Sequence, residues 1–441
     1  MGSASAVLTR QSDNRNADKT KTERGAFKYK QKMEYTRLHN LTGPLLSANA
    51  NNGTNAGSRN ANTNNRVTNA NANNGFRQYR EKDIERLCDH ASGQNKPLNG
   101  SGGQTSLPNG TFDRFASHYT LVRAALLAQK GKRRSVQIRN FNRRFGDNIQ
   151  RLHESLMSDM PISCEYRKMT IWEPKERNIL IAPFYPHRII HQAIVLVSKD
   201  VWISNFIQNT FACIKDRGIH ACMFAVRDAL REDLGGTRFC LKIDVSKYYD
   251  NINHEVLKQL LRQTTEDDRM MKVMGDQIDT ISGGVGVPIG NLTSQYFANI
   301  YLSPLDHFCQ EVLGLRYYFR YMDDVVILHE SKDYLHYCRR EIENYINECL
   351  VLTLKRNWQV FPVDSRHVDF VGYRMNHKGV MLRNSILKKM YSEIDKLALT
   401  KDEIDLKHQL SSHYGWMKYI DEIHKFNIIK NAEIKYKVVL N

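Results

Sequence analysis

The 441-residue chain contains no C-x-x-C pair and no His/Cys cluster at zinc-ligand spacing, although it has eight cysteines. Their scatter excludes a zinc module or a disulfide framework and reads as small buried hydrophobes in a reducing compartment. No apolar run approaches membrane-spanning length, and the N-terminus has no apolar signal core. A membrane is therefore not an expected partner, and a cytoplasmic location is the expectation. Acid is in short supply as well: 64 Lys and Arg face 47 Asp and Glu, for a net charge of +17 and a pI near 9.4. Such an excess points to a polyanionic partner, because each neutralised phosphate releases condensed counterions. Charge alone does not say which polyanion.

Apolar residues are nearly missing from one stretch. ANANNGTNAGSRNANTNNRVTNANANNGFR is dominated by Asn from Asn49 to Asn74, and SGQNKPLNGSGGQTSLPNG follows a short helical pattern around Tyr79–His90. A chain with so little to bury is expected to be disordered, so residues 1–111 are set apart as a disordered Asn/Gly-rich region. Folding is expected from near Phe112.

Beyond that point apolar periodicity returns. Helices are expected over Thr120–Lys130, Arg139–Leu156, Pro186–Ser198, His220–Asp233 and Tyr334–Leu350, and across YFANIYLSPLDHFCQEVL with a bend near Pro304. MTIWEPKERNILIAPF reads as two short strands around a charged turn, and VDFVGYRM with GVMLR as another strand pair. RFCLKIDVSKYYD reads as a buried strand running into a turn, and RYYFRYMDDVVILHES as a hairpin joined at its Asp-Asp. The implied class is α+β, with helices covering one side of the core sheet.

Two segments bring acids together. Asp244 ends an apolar strand, and Asp323 and Asp324 sit at the hairpin tip. Carboxylates on neighbouring strand ends repel unless a cation neutralises them. Mg²⁺ suits such a place, since it binds one or two carboxylates plus substrate phosphates. Two ions about 3.5–4 Å apart can activate a 3′-hydroxyl and stabilise a leaving pyrophosphate. An isolated Asp-Asp is an ordinary polar turn; Tyr-Met-Asp-Asp between apolar runs, with a strand-borne Asp upstream, is not.

These segments resemble reverse transcriptases. YMDD looks like their motif C, and KIDVSKYYDNINHEVL looks like motif A, with Asp244 the first metal ligand. The resemblance implies a right-hand polymerase with an antiparallel palm sheet packed on helices, two Mg²⁺ ions held by Asp244, Asp323, Asp324 and the Val245 carbonyl, and Tyr249 as the gate against a ribose 2′-hydroxyl. Tyr248 competes with a plain core role. WEPKERNILIAPFYPHRIIHQAI resembles the fingers element that grips a triphosphate, which makes Lys175 and Arg177 phosphate ligands. Arg188 is either a third such contact or a structural ion-pair partner.

Motif B narrows the resemblance. Most reverse transcriptases have Pro-Gln-Gly and then Ser-Pro here, whereas this chain has Pro288-Ile289-Gly290 and Ser294-Gln295. That pattern, with FACIKDRGIH and VDFVGYRM, resembles the reverse transcriptases of diversity-generating retroelements, which err opposite template adenines. Ile289 and Gly290 are then expected beside the nascent base pair, where an apolar Ile cannot hydrogen-bond the nucleotide as Gln can. SSHYGWMKYIDEIHKF resembles a helical thumb. The implied domains are fingers 112–235, palm 236–384 and thumb 385–436. The lysine that the family often carries after motif C has no clear counterpart: Asn357 aligns best, with Lys355 two residues earlier. No RNase H region or His/Cys endonuclease tail is recognisable.

The resemblance implies a template-repeat RNA, a DNA or RNA primer, dNTPs and a small basic helical accessory protein as partners, with the basic Thr120–Arg144 region a surface for RNA. The Asn-rich tract has two readings, a linker or an in-frame translation of an adenine-rich template repeat over about Leu41–Arg77, because every Asn codon begins with two adenines. Two other functions compete: a phage-defence or retron-type reverse transcriptase, and a non-catalytic RNA-binding scaffold.

Overall fold

In the computed structural model, residues 106–159, 164–172, 176–400, 415–425 and 428 are described, all within the unit Lys96–Asn441. The Asn-rich tract, Lys175 and much of the 385–436 segment lie outside the described residues.

Four helices open the described chain: α1 (Thr111–Ala116), α2 (His118–Gln129), α3 (Val136–Arg143) and α4 (Phe145–Met157). The single helix expected over Arg139–Leu156 is thus two, because Arg144 leaves helical geometry at φ −129°, ψ 48° between them. Two five-residue strands, β1 (Arg167–Ile171) and β2 (Arg177–Ile181), pair antiparallel with Arg167 opposite Ile181. A turn leads into α5 (Ile189–Ser204), which packs along α2 and buries Trp202 against Tyr296 and Phe297.

The central sheet follows. α6 (Ile219–Glu232) precedes β3 (Phe239–Asp244), and after it come α7 (Tyr248–Asn251), α8 (His254–Arg262), α9 (Asp268–Ile278) and α10 (Leu292–His307). Side-chain caps fix where these helices start: Asn253 Oδ1 accepts from Val256 N at 3.1 Å, and Asp267 Oδ1 accepts from Arg269 N and Met270 N. β4 (Tyr317–Tyr321) and β5 (Asp324–His329) form the hairpin, α11 (Lys332–Cys349) follows, and β6 (Gln359–Pro362) closes an antiparallel sheet in the order β4-β5-β3-β6. A second sheet, β7 (Val368–Phe370), β8 (Tyr373–Asn376) and β9 (Gly379–Leu382), leads into α12 (Asn384–Thr400).

Both faces of the central sheet are covered, not one. Cys240, Phe319, Val326, Leu328 and Phe361 pack with Met223, Val226 and Leu230 of α6 and with the β7–β9 sheet. Leu241, Ile243, Val325 and Ile327 alternate with them and so face the other way, where α11 lies on β3, β5 and β6. The run of four buried residues in β5, Val325–Leu328, is the mark of two-sided burial. Among the described residues no helix is long and apolar enough to cross a membrane.

Candidate active site

The antiparallel register decides where the acids go. β3 and β5 pair so that Asp244 stands directly opposite Asp324. β4 and β5 pair with Tyr321 opposite Asp324, which leaves Met322 and Asp323 as the two turn residues. The joint is therefore Met-Asp, not the expected Asp-Asp; Asp324 is the first strand residue. Met322 carries a positive φ of 55°.

Like charges directly across a ladder repel, and the carboxyls here respond. Asp323 is pushed up to about 7, first by burial and then by the neighbouring Asp244 carboxylate, with Lys355 opposing. Burial also raises Asp324, against the pull of Lys242. Two lysines supply positive charge. Lys355 Nζ donates to Asp244 Oδ2 at 2.5 Å, and Lys242 Nζ lies 3.5 Å from Asp324 Oδ2 while donating to the Asp369 carbonyl at 2.6 Å. Lys242 is not among the residues that the sequence singles out; its signal is its place two residues before Asp244 on a strand, hence on the same face. Lys355 meets the acids, whereas Asn357, the better-aligned position, is exposed.

The residues fit a divalent cation. Asp244 Oδ1 and Asp324 Oδ1 are buried and accept no hydrogen bond, and a buried carboxylate oxygen without a partner is costly unless a cation or donor meets it. Among the described residues no group of three or more His, Cys, Asp or Glu is gathered so as to hold a metal ion by itself; Mg²⁺ in general binds one or two carboxylates and takes its other ligands from substrate phosphates and water. The Val245 carbonyl is directed suitably. Lys355 N donates to Asp244 O and Ser246 N to Thr353 O, both at 2.8 Å, so the intervening Val245–Leu354 bridge leaves the Val245 polar groups pointing to the β5 side.

The other residues singled out in the sequence lie as follows. The Tyr249 hydroxyl donates to Met322 Sδ at 3.6 Å, which sets its ring against the acidic turn; burial, then Cys213 and Asp323, raises its phenol. Tyr248 is a core residue whose hydroxyl donates to the Ala298 carbonyl at 2.5 Å. The Ile289 carbonyl accepts from Leu180 N at 3.2 Å, so the loop bearing Ile289 and Gly290 rests on β2. A Cβ on Gly290 would come within 3.1 Å of Ile179 Cγ2 and 3.2 Å of the Leu180 carbonyl. That loop is strapped from beneath: His254 Nε2 meets the Gly286 carbonyl at 2.8 Å, and Val287 N donates to the Tyr249 carbonyl at 2.9 Å. Arg188 donates through Nε to the Ala182 carbonyl at 2.9 Å. Arg177 begins β2, with its side chain outside the described residues, as is all of Lys175.

Comparison with known proteins agrees with this geometry. The family described as reverse transcriptase (RNA-dependent DNA polymerase) matches residues 175–375, a span that holds all three acids and both lysines. Over residues 175–375 the chain is similar to that family. The chain is similar to protein YkfC of Escherichia coli (strain K12), 27% identical over 139 residues, covering 29% of this chain and 36% of that protein. It is also similar to the group II intron-encoded protein LtrA of Lactococcus lactis subsp. cremoris, 23% identical over 175 residues, 37% of this chain and 28% of LtrA. The retron Ec48 reverse transcriptase of Escherichia coli is 21% identical over 207 residues, 46% of this chain and 49% of that protein. The chain thus matches half or less of each relative's length.

Proposed function

We propose that this chain is an RNA-directed DNA polymerase of the diversity-generating type, copying a template-repeat RNA into cDNA with errors opposite adenine. The observation that carries the polymerase reading is the Asp244–Asp324 register with Asp323 beside it, where buried carboxylate oxygens lack any other partner. Asp244, Asp323, Asp324 and the Val245 carbonyl would hold two Mg²⁺ ions. Bound there, the ions supply Lewis acidity to the primer 3′-hydroxyl and to the leaving pyrophosphate.

The chain's own residues do the rest. Tyr249, wedged by Met322, fills the space a ribose 2′-hydroxyl would need. Ile289 and Gly290, seated on β2, border the new base pair with no side-chain hydrogen-bonding group. Lys175, Arg177 and Arg188 are assigned to the triphosphate, where guanidinium forks and an ammonium match phosphate oxygens. Residues 112–235 act as fingers, 236–384 as palm and 385–436 as thumb. The exposed cations of the Thr120–Arg144 region, among them Arg123, Lys132, Arg139 and Arg144, present a surface for template RNA. A small basic helical protein completes the complex.

Similarity to the retron Ec48 reverse transcriptase favours a second reading, in which the chain copies its own non-coding RNA in a retron-type system. Primer extension separates the readings. Purified chain is given Mg²⁺, dNTPs and an adenine-containing RNA template with annealed primer, beside Asp323→Asn. Extension lost in the variant, with errors concentrated opposite adenine, is the expected result. Accurate extension keeps the polymerase and removes the diversity-generating type. No extension, even with cognate RNA and accessory protein supplied, leaves the RNA-binding scaffold.

A further inference from the structure

The acidic turn hangs on a buried charge. Arg320 lies mid-strand in β4, three residues before Asp323, and its side chain and that of Asp306 on α10 are both fully excluded from solvent. The guanidinium forks onto Asp306, with Nε and Nη2 each donating to a different carboxylate oxygen at 2.6 Å. Asp306 accepts further bonds from the Tyr318 hydroxyl at 2.7 Å and from Thr210 Oγ1 at 3.0 Å. The pair is thus fully furnished with partners, which is the condition for two buried charges to persist.

The fork still has Nη1 in hand. It donates to Asn299 Oδ1 at 3.1 Å and to the Met322 carbonyl at 3.0 Å. Met322 is the turn residue with φ 55°, a region that non-glycine residues occupy only when their surroundings hold them there. The primed turns that suit a two-residue hairpin normally place Gly, Asn or Asp at such a position. Here a methionine occupies it, with its carbonyl held by a guanidinium whose own orientation is fixed from α10. The segment before α6 joins the same assembly: Arg320 N donates to Asn209 O, Phe211 N donates to Arg320 O, and Asn299 Nδ2 donates to Ala212 O.

We infer that Arg320, oriented by Asp306 and Asn299, is a positioning residue that fixes the Met322 carbonyl and thereby the attitude of Asp323 and Asp324. A second consequence follows from the shared partners. α10 begins at Leu292, directly after the Ile289–Gly290 loop, so one helix carries both Asn299 and Asp306, which orient Arg320, and the loop that borders the nucleotide. The inference rests on the polymerase reading for its kinetic test, and on none for its exchange test.

The experiment compares full-length wild type with Arg320→Lys, which keeps the charge and loses the fork, and with Arg320→Met/Asp306→Leu, which removes both charges together. Swapping a buried pair for apolar residues commonly preserves folding, so the double variant guards against simple misfolding. Hydrogen exchange is expected to quicken across residues 321–325 while 239–243 stays protected. Primer extension is expected to fall in kcat by roughly tenfold to a hundredfold, the range for an angstrom-scale misplacement, with KM for dNTP nearly unchanged. Adding Met322→Gly, which needs no outside hold at positive φ, should recover a substantial part of the lost kcat. Wild-type kcat and exchange in either folded variant overturn the inference. So does exchange that quickens uniformly over the whole sheet, which is a structural role only. Wild-type protein that fails to extend any primer instead sinks the polymerase reading, and the exchange result then stands or falls alone.

Discussion

Gly290→Ala sets two costs against each other, and their sizes predict which the molecule accepts. At φ +118° an alanine is strained by about 1–3 kcal/mol. Its Cβ would also stand 3.2 Å from the Leu180 carbonyl, a backbone atom in a paired strand that cannot simply rotate away. Together these come to about 2–6 kcal/mol if the loop stays docked. Lifting the loop off β2 costs less: the Leu180 N to Ile289 O bond, worth about 1 kcal/mol net. The loop should therefore undock and the global fold should barely notice. Expected is a thermal midpoint within a few degrees of wild type, with KM for dNTP raised by roughly 5- to 30-fold, which corresponds to about 1–2 kcal/mol. Gly283→Ala is the control, since φ is +99° there but nothing lies within 4 Å of its Cβ. If both variants behave alike in single-nucleotide extension, or if Gly290→Ala collapses the midpoint at unchanged KM, the docking argument is wrong.

Three further outcomes are expected. Tyr249→Ala should raise ribonucleotide use relative to deoxyribonucleotide by roughly 10- to 100-fold in competitive extension; an unchanged ratio removes Tyr249 as the sugar gate. Lys355→Ala should lower extension roughly tenfold or more, because a charge-assisted contact to Asp244 is lost, whereas Asn357→Ala should stay near wild type; the reverse order would refute a role for the Lys355–Asp244 contact. Stability should fall in acid through His191. Burial holds that imidazole down to about 4, against an ordinary value of 6.5, and its Nε2 is bonded to Gln277 at 2.9 Å. The unfolded chain therefore takes up the proton first, so the contribution is whole above pH 6.5 and is lost progressively from 6.5 down to 4. It amounts to about 2 kcal/mol by pH 5. Urea melts of wild type and His191→Gln at pH 7 and pH 5 should differ in their pH dependence; identical slopes refute the assignment.

Much of this arrangement was legible beforehand because it depends on local chemistry. The strand-borne Asp244, the hairpin and the β1–β2 pair follow from period-two patterning and turn residues. What escaped prediction depends on pairing over long distances. Lys355 reaches Asp244 because the backbone of 353–355 runs beside that of 244–246, a neighbourhood that no spacing along the chain encodes. Arg320 reads in sequence as one more cation in a basic chain, and Asp306 as one more helix acid; only the crossing of α10 behind β4 makes them partners. The Asp-Asp turn was misplaced by one residue because register, not composition, decides which residues form the tip. The two-sided burial of the sheet was hinted at by Val325–Leu328 but needed the positions of α6 and α11 to be seen.

The two-sided sheet limits how this catalytic centre can change over evolutionary time. A single residue inserted or deleted in the turn between Tyr321 and Val325 would exchange the inward and outward sets of β5, sending Val326 and Leu328 toward α11 and Val325 and Ile327 toward α6. Both hydrophobic layers would have to be rewritten at once to accommodate it. The spacing from Arg320 to Leu328 is therefore a fixed ruler: the length of the hairpin that holds the acids is locked by the core on either side.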